Sequence, residues 1–152
     1  AFGMTVSWND GEFAAYVSRG DGTVAQWYEY YDGDEVYWLS KIIEAESRGE
    51  PMRGKIAVGN VVLNRVRSPE FPDTIYSVIF DREYGVQFSP VADGSIGRDA
   101  SAESVIAAKL CLEGYSVSDS VLYFINASAA QDFWVPRHRP YVTTIGNHDF
   151  YA

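Results

Sequence analysis

Three glutamates, Glu44, Glu46 and Glu50, fall within seven positions of the segment IIEAESRGEP, residues 42–51. A carboxyl group can donate a proton at neutral pH when burial raises its pKa, and a solvated carboxylate can bind polar ligands. Which of the three could do chemistry therefore depends on how the local helix presents them.

Helical spacing separates the first two glutamates. The apolar residues at positions 39, 42 and 43 precede Glu46 at i, i+3, i+4 and i+7 spacing, which places Glu46 on the apolar face of a helix. Glu44 shares a face with Ser40 and Lys41, which predicts a solvated side chain with a local partner. Glu50 lies past the helix end, where it could bind a ligand or face solvent.

A carboxyl group on an apolar face must be paired, face a cleft or have a raised pKa. Glu46 could pair with Arg48 or Arg65 and join two helices, or it could be a proton donor with a raised pKa. Position along the chain leaves both interpretations open.

Composition excludes several other classes. The 152 residues fit one domain, and a net charge of -9 argues against nucleic acid and anionic membranes as partners. One cysteine, Cys111, excludes an internal disulfide, and two histidines make a zinc site improbable, so we expect no metal and no cofactor. The first 50 residues hold 10 of the 21 acidic side chains, against 3 of the 12 basic ones.

The periodicity predicts helices first and a small sheet later, an α+β fold. Helices are expected over residues 34–47, 52–66, 74–80 and 101–113, with a long loop over 81–100. Gly59, inside the second helix, could permit the close approach of a neighbouring element. Strands are expected over 121–125 and 141–145, followed by a Gly-Asn turn at 146–147. Residues 1–33 carry repeated Gly-Asp breaks and could form a short hairpin or two.

Several blocks of the chain together resemble a known family. AESRGEP and GKIAVGNVVLNRV, followed by QFSPVADG, AAKLCLEG, LYFINAS and RPYVTTIGNHDFY, are similar to the SleB/CwlJ-type cell-wall hydrolases, the spore cortex-lytic family. The resemblance spans residues 36–152 and leaves residues 1–35 as an acidic, aromatic linker or hairpin.

The resemblance implies a lysozyme-like fold, mainly helical with a small antiparallel sheet, and cleavage of peptidoglycan. By position in that pattern, Glu46 would be the catalytic acid, and Ser47, which follows it, would contact the substrate. Gln87 in GVQF and Asn126 in FINA would line the substrate cleft. Glu50 is a further candidate for substrate binding.

Four aromatic residues are candidates for stacking on sugars, although the core is the expected place for each of them taken singly. These are Tyr84, Phe88, Tyr123 and Trp134.

One evident carboxyl group favours a lytic transglycosylase, which cleaves between N-acetylmuramic acid and N-acetylglucosamine and leaves a 1,6-anhydro end. A second carboxylate, such as Glu50 or Asp93, would make the enzyme a muramidase. A non-catalytic binding module is the third interpretation. The expected partner is the glycan strand, with no nucleic acid and no membrane insertion, and the resemblance implies a location outside the cytoplasm, at the cell wall or spore cortex. The chain begins at Ala1 without a leader, so both a removed signal and an excised fragment fit.

Overall fold

The computed structural model describes residues 2–9, 12–19, 24–25, 33–83, 85, 87–130 and 132–152, with side chains from Asp34 onward. Strands β1 (Phe2–Asn9), β2 (Glu12–Arg19) and β3 (Val24–Ala25) form an antiparallel sheet in the order β1-β2-β3. The description of residues 1–35 as a linker or a hairpin outside the catalytic domain, and the domain boundary at residue 35, stay predictions.

Three helices form the body of the domain and pack on one another: α1 (Gly33–Ser47), α2 (Met52–Arg67) and α5 (Ala102–Leu112). Helix α2 is the central element, with residues 54–65 all buried. A Cβ atom on Gly59 would lie 2.6 Å from Sγ of Cys111, so the glycine allows α2 and α5 to approach closely, as its position predicted. Cys111 is a buried core residue.

Short helices complete the helical part. Helix α3 (Ile75–Ile79) confirms the helix expected there. The expected loop over 81–100 instead contains α4 (Ser89–Asp93) and a 3₁₀ helix (Ser95–Gly97). These elements are too short to show a periodicity, although Pro90 is well placed in the first turn of α4, where it loses no hydrogen bond. Helix α6 (Trp134–His138) is likewise too short to show a periodicity, and it lies in a segment that we expected to be irregular.

A second antiparallel sheet has the order β4-β6-β5, from β4 (Tyr123–Asn126), β5 (Tyr141–Ile145) and β6 (His148–Tyr151). The sequence predicted β4, β5 and the turn, but not β6. Phe150 of β6 is fully buried in the helical core. In the described part of the chain, no helix combines the length and apolar character needed to cross a membrane.

Candidate active site

A cleft of about 540 Å³ lies between the end of α1, the start of α4 and strands β4 and β6. Glu46 reaches it from the last turn of α1, because Leu39, Ile42 and Ile43 on the same face are fully buried in the core. The residues that line the cleft are Glu46, Arg65, Gln87, Phe88, Ser89, Ala92, Phe124, Ile125, Asn126, Ala129, Ala130, Asp132 and His148.

The surroundings of Glu46 favour its protonated form. Burial raises the pKa of its carboxyl group to about 7, and the negative charge of Asp93 adds to this effect. Among the described side chains, none forms an ion pair with Glu46, so its carboxyl group has no cationic partner there. The pairing with Arg48 or Arg65 that the sequence left open is therefore absent.

Glu44, two residues earlier, has the opposite environment. Its Oε2 accepts hydrogen bonds from the hydroxyl groups of Ser101 and Ser104, at 2.9 and 2.5 Å. Burial would raise the pKa of Glu44, but these hydrogen bonds outweigh it and the pKa is lowered. Its face of the helix had predicted a solvated side chain with a local partner. In the structure, the carboxylate is instead bound to the start of α5. Glu44 is therefore an ionised structural group.

The end of α1 is held in place by a buried cation. Nζ of Lys55, on α2, donates to the carbonyl oxygen of Ser47 at 2.8 Å, and the amide of Glu50 donates to the same oxygen at 3.0 Å. The Ser47 hydroxyl donates back to the carbonyl of Ile43 and the residue is fully buried. Ser47 therefore lies beneath the cleft and does not line it; it fixes the backbone that carries Glu46.

Glu50 joins the helical end to the sheet. Its two carboxylate oxygens accept from the backbone amide of Asn147 at 3.1 and 3.3 Å, and Oε1 lies 3.8 Å from Nδ1 of His148. Gly146 has a φ of 57°, and a Cβ there would lie 2.1 Å from Oε2 of Glu50, so the turn requires glycine. Only 8% of the Glu50 side chain is exposed, and it does not line the cleft.

His148 is a further residue that lines the cleft. Its ring is held beside Glu50, and burial lowers its pKa although the Glu50 carboxylate opposes this. In the sheet, His148 pairs with Asn126, so the two side chains lie on the same face and both reach the cleft. Placing His148 in the cleft requires the register of β4 and β6, which the sequence does not show.

Of the two amide residues predicted to bind substrate, both line the cleft. Asn126 ends β4, and its side-chain oxygen accepts from the hydroxyl of Ser128 at 2.8 Å. Gln87 lies just before α4, with Nε2 donating to the carbonyl of Gly85 at 3.4 Å. The fold thus brings Gln87 and Asn126 together with Glu46, and their binding role stays a prediction.

The aromatic candidates separate into two groups. Phe88 is buried and lines the cleft. Tyr123 does not: its hydroxyl accepts from Arg139 at 3.0 Å, and its ring packs near Trp134. Alternation along β4 turns Tyr123 to the face opposite Phe124 and Asn126. Tyr84 lies outside the described residues.

Arg65 is a cleft residue that the sequence suggested only as a partner for Glu46. Its Nε donates to the carbonyl of Leu122 at 2.8 Å, and its guanidinium group lies between the rings of Phe71, Phe88 and Tyr123. Burial lowers its pKa to about 10, well above neutral, so it remains a cation in the cleft wall. A buried arginine is predictable from sequence only when its aromatic neighbours are known.

Two further carboxylates lie near Glu46. Asp132 lines the cleft, is exposed, and accepts from the amide of Trp134 at 2.9 Å. Asp93, which the sequence suggested as a second carboxylate, points into a neighbouring cavity and accepts from the amide of Ser95 at 2.8 Å. Among the described residues, no group of three or more potential ligands could hold a metal ion.

Comparisons with known proteins identify the family of the chain. Residues 49–151 match the family described as Cell Wall Hydrolase, a match that begins three residues after Glu46. The spore cortex-lytic enzyme of Oceanobacillus iheyensis is 34% identical over 120 residues, which are 79% of this chain and 42% of the relative. That of Bacillus subtilis is 31% identical over 136 residues, 90% of this chain and 43% of the relative. The chain spans about two-fifths of the length of these relatives.

Two solved structures are similar over most of the chain. The catalytic domain of the germination-specific lytic transglycosylase SleB from Bacillus anthracis gives a TM-score of 0.72 at 34% identity, covering 80% of this chain and 97% of that domain. The catalytic domain of the Bacillus cereus SleB protein gives 0.71 at 34% identity, with 80% and 92% covered. The predicted lysozyme-like α+β fold is therefore confirmed. By residue pattern and by fold, the chain belongs to the cell wall hydrolase family.

Proposed function

We propose that this domain cleaves the glycan strands of peptidoglycan between N-acetylmuramic acid and N-acetylglucosamine, as a lytic transglycosylase. The observation that carries the proposal is a single unpaired carboxyl group with a pKa of about 7, Glu46, at the wall of an open cleft. A group with this pKa can give up a proton and take it back near neutral pH. The name of the Bacillus anthracis domain, a lytic transglycosylase with the same fold, supports the same reaction.

Glu46 would act twice in the reaction. In its protonated form it donates its proton to the glycosidic oxygen as the bond from that oxygen to C1 of the muramoyl sugar breaks. The electron pair of that bond leaves with the oxygen, which becomes the 4-hydroxyl of N-acetylglucosamine. The Glu46 carboxylate then removes the proton of the muramoyl 6-hydroxyl, whose oxygen bonds to C1. The product is a 1,6-anhydro ring, the enzyme regains its proton, and no water is consumed.

The other cleft residues would bind the sugars without strong charge attraction. Gln87 and Asn126 can exchange hydrogen bonds with hydroxyl and N-acetyl groups, and the rings of Phe88 and Phe124 offer apolar surface to sugar faces. A net charge of -9 gives no help in attracting an anionic polymer, so local contacts must hold the strand. Peptidoglycan as substrate implies that the domain works outside the cytoplasm, at the cell wall or spore cortex.

Hydrolysis is the second candidate, and Asp132 is the observation that favours it. Among the described residues, it is the only carboxylate besides Glu46 that lines the cleft, and its exposed position would allow it to activate a water molecule. Water would then attack C1 in place of the 6-hydroxyl, and the product would have a reducing muramoyl end.

Mass spectrometry of the fragments distinguishes these reactions. Vegetative and cortex-type peptidoglycan are digested in parallel with the wild-type protein and with Glu46→Gln. We expect anhydromuramoyl ends, lighter by one water than reducing ends, from the wild type and none from the variant. Reducing ends would support hydrolysis, and Asp132→Asn would then abolish them. No fragments from either substrate would contradict both reactions and favour a binding module.

A further inference from the structure

A second cavity, of about 420 Å³, lies beside the cleft and shares its walls. The last turns of α1 and α4 line both: Glu46 and Ala92 face the cleft, while Ala45 and Asp93 face the second cavity. We call it the arginine pocket. Its lining residues are Glu44, Ala45, Arg48, Asp93, Ser95, Arg98 and Asp99.

The two arginines of this pocket are available to a ligand. Neither Arg48 nor Arg98 forms an ion pair with any of the described side chains, and both are exposed. Two of the neighbouring carboxylates already have donors: Glu44 accepts from Ser101 and Ser104, and Asp93 accepts from Ser95.

The backbone that carries Arg98 is anchored to the same helix as Arg48. Nζ of Lys41, in the middle of α1, donates to the carbonyl oxygens of Gly97 and Arg98 at 3.3 and 3.1 Å. Lys41 is 7% exposed, so this link between α1 and the 3₁₀ helix is protected from solvent. The backbone positions of the two arginines are therefore held to the same helix as Glu46.

We propose that the arginine pocket binds the peptide stem of the muramoyl residue whose glycosidic bond is broken. The inference rests on the proposed function, because the stem is attached to that sugar. A stem peptide carries free carboxylates, which suit the guanidinium groups of Arg48 and Arg98, and the ammonium group of its diamino acid, which suits the carboxylate of Asp99. The mixture of both charges in one cavity matches a zwitterionic peptide better than a neutral sugar.

The position of the pocket explains how the stem could help cleavage. The lactyl ether carries the peptide away from the same sugar ring that supplies C1 and the 6-hydroxyl. A stem held by Arg48, two residues along the chain from Glu46, would orient that ring in the cleft. Strands with stems are then expected to be better substrates than strands without them.

Binding measurements test the pocket without turnover. Isothermal titration compares a disaccharide that carries a tetrapeptide stem with the same disaccharide without peptide. We expect the wild type to bind the stem-bearing fragment more tightly than the bare one, and Arg48→Gln/Arg98→Gln to lose about tenfold in affinity for the stem-bearing fragment. Arg53→Gln, an exposed arginine on α2, is the matched control and should leave the affinity unchanged. Equal affinity of the wild type for both fragments, or no effect of the double variant, would overturn the inference.

Kinetics give a second measurement. The ratio of kcat/KM for stem-bearing strands to that for strands stripped by an amidase should fall about tenfold in the double variant. An equal loss on both substrates would mean that the arginines act on the fold, and would contradict the inference. Arg137, an exposed arginine of α6, is the rival position for the stem carboxylates. A fall in this ratio for Arg137→Gln, with none for the double variant, would place the stem at α6 and overturn the inference. A wild type that binds the stem-bearing fragment but cleaves neither substrate would contradict the proposed function and leave the pocket supported.

Discussion

Glu44 and Glu46 are two residues apart on α1, yet their carboxyl groups have pKa values shifted in opposite directions. Two positions along a helix are about 200° apart, so the two side chains face different neighbours. Glu44 meets two hydroxyl donors at the start of α5, and Glu46 meets the wall of a cleft and the negative charge of Asp93. The comparison shows that the donors around a carboxyl group decide whether it can serve as a proton donor at neutral pH.

Glu50, on the same segment, shows a third outcome. It is as well buried as a core residue, but the amide of Asn147 occupies both of its oxygens. Its contribution is to hold the β5–β6 turn against the end of α1, which sets the position of His148 in the cleft. The predicted role of Glu50 in substrate binding finds no support in this geometry, since other groups of the chain already hold the carboxylate.

The largest expected effect is the loss of activity in Glu46→Gln. Removing a positioned general acid should lower kcat/KM by about 100- to 10,000-fold without unfolding the protein. The same substitution at the exposed Glu113 should change kcat/KM by less than about twofold. The measurement is the release of soluble glycan fragments, with circular dichroism as a check of folding. If Glu46→Gln retained activity, Glu46 would not be the general acid that its difference from Glu44 indicates.

The next effect is on stability, with opposite signs for the two glutamates. The pKa of Glu46 is raised to about 7, so the native state holds this proton more tightly; the resulting stability is present below pH 4.5 and is lost as the pH rises through about 7. Glu46→Gln should therefore be more stable than the wild type at pH 8 by up to roughly 3 kcal/mol, and about equally stable at pH 4.

Glu44→Gln should behave in the opposite way. The lowered pKa of Glu44 contributes stability above pH 4.5, which is lost as the pH falls through its folded pKa. The variant should be less stable than the wild type by about 1 kcal/mol at pH 7, and the difference should shrink in acid. Urea unfolding of both variants at several pH values measures the two effects. Parallel changes would show that the two carboxyl groups have similar environments.

The smallest expected effect comes from Asp93→Asn. The negative charge of Asp93 is the second cause of the raised pKa of Glu46, after burial. Because Asp93 is exposed and its charge is screened, its removal should move the alkaline limb of the kcat/KM profile toward acid by less than about half a pH unit. In the wild type, that limb should fall as the pH rises through about 7. If the alkaline limb of Asp93→Asn is unchanged or moves toward higher pH, the limb belongs to a group other than Glu46.

Much of the framework was predictable because it depends on local patterns. The apolar spacing before Glu46, with Gly49 and Pro51 after it, predicted the helix and its end, and α1 ends at Ser47. Strand β6 was missed because HDFY, residues 148–151, is too short to show a pattern of its own. Its place in the sheet depends on pairing with β4 and β5.

The partners of the charged groups were not predictable, and this limited the prediction of the site. The hydroxyls that bind Glu44 lie 57 and 60 residues along the chain, and the amide that binds Glu50 lies 97 residues along. Ser47 and Tyr123 resemble site residues by position, but burial and strand alternation turn them away from the cleft.

The sequence by itself determined that a helix would end beside Glu46, that this carboxyl group would share its apolar face, and that the fold would be lysozyme-like. Helical periodicity suffices for the first two conclusions because they involve neighbours in the chain, and the resemblance to the cell-wall hydrolases implied the third. Only the tertiary structure decided which carboxyl group remains unpaired, since desolvation and hydrogen bonding depend on residues that approach from distant segments. The raised pKa of Glu46 and the two exposed arginines beside it are therefore properties of the fold.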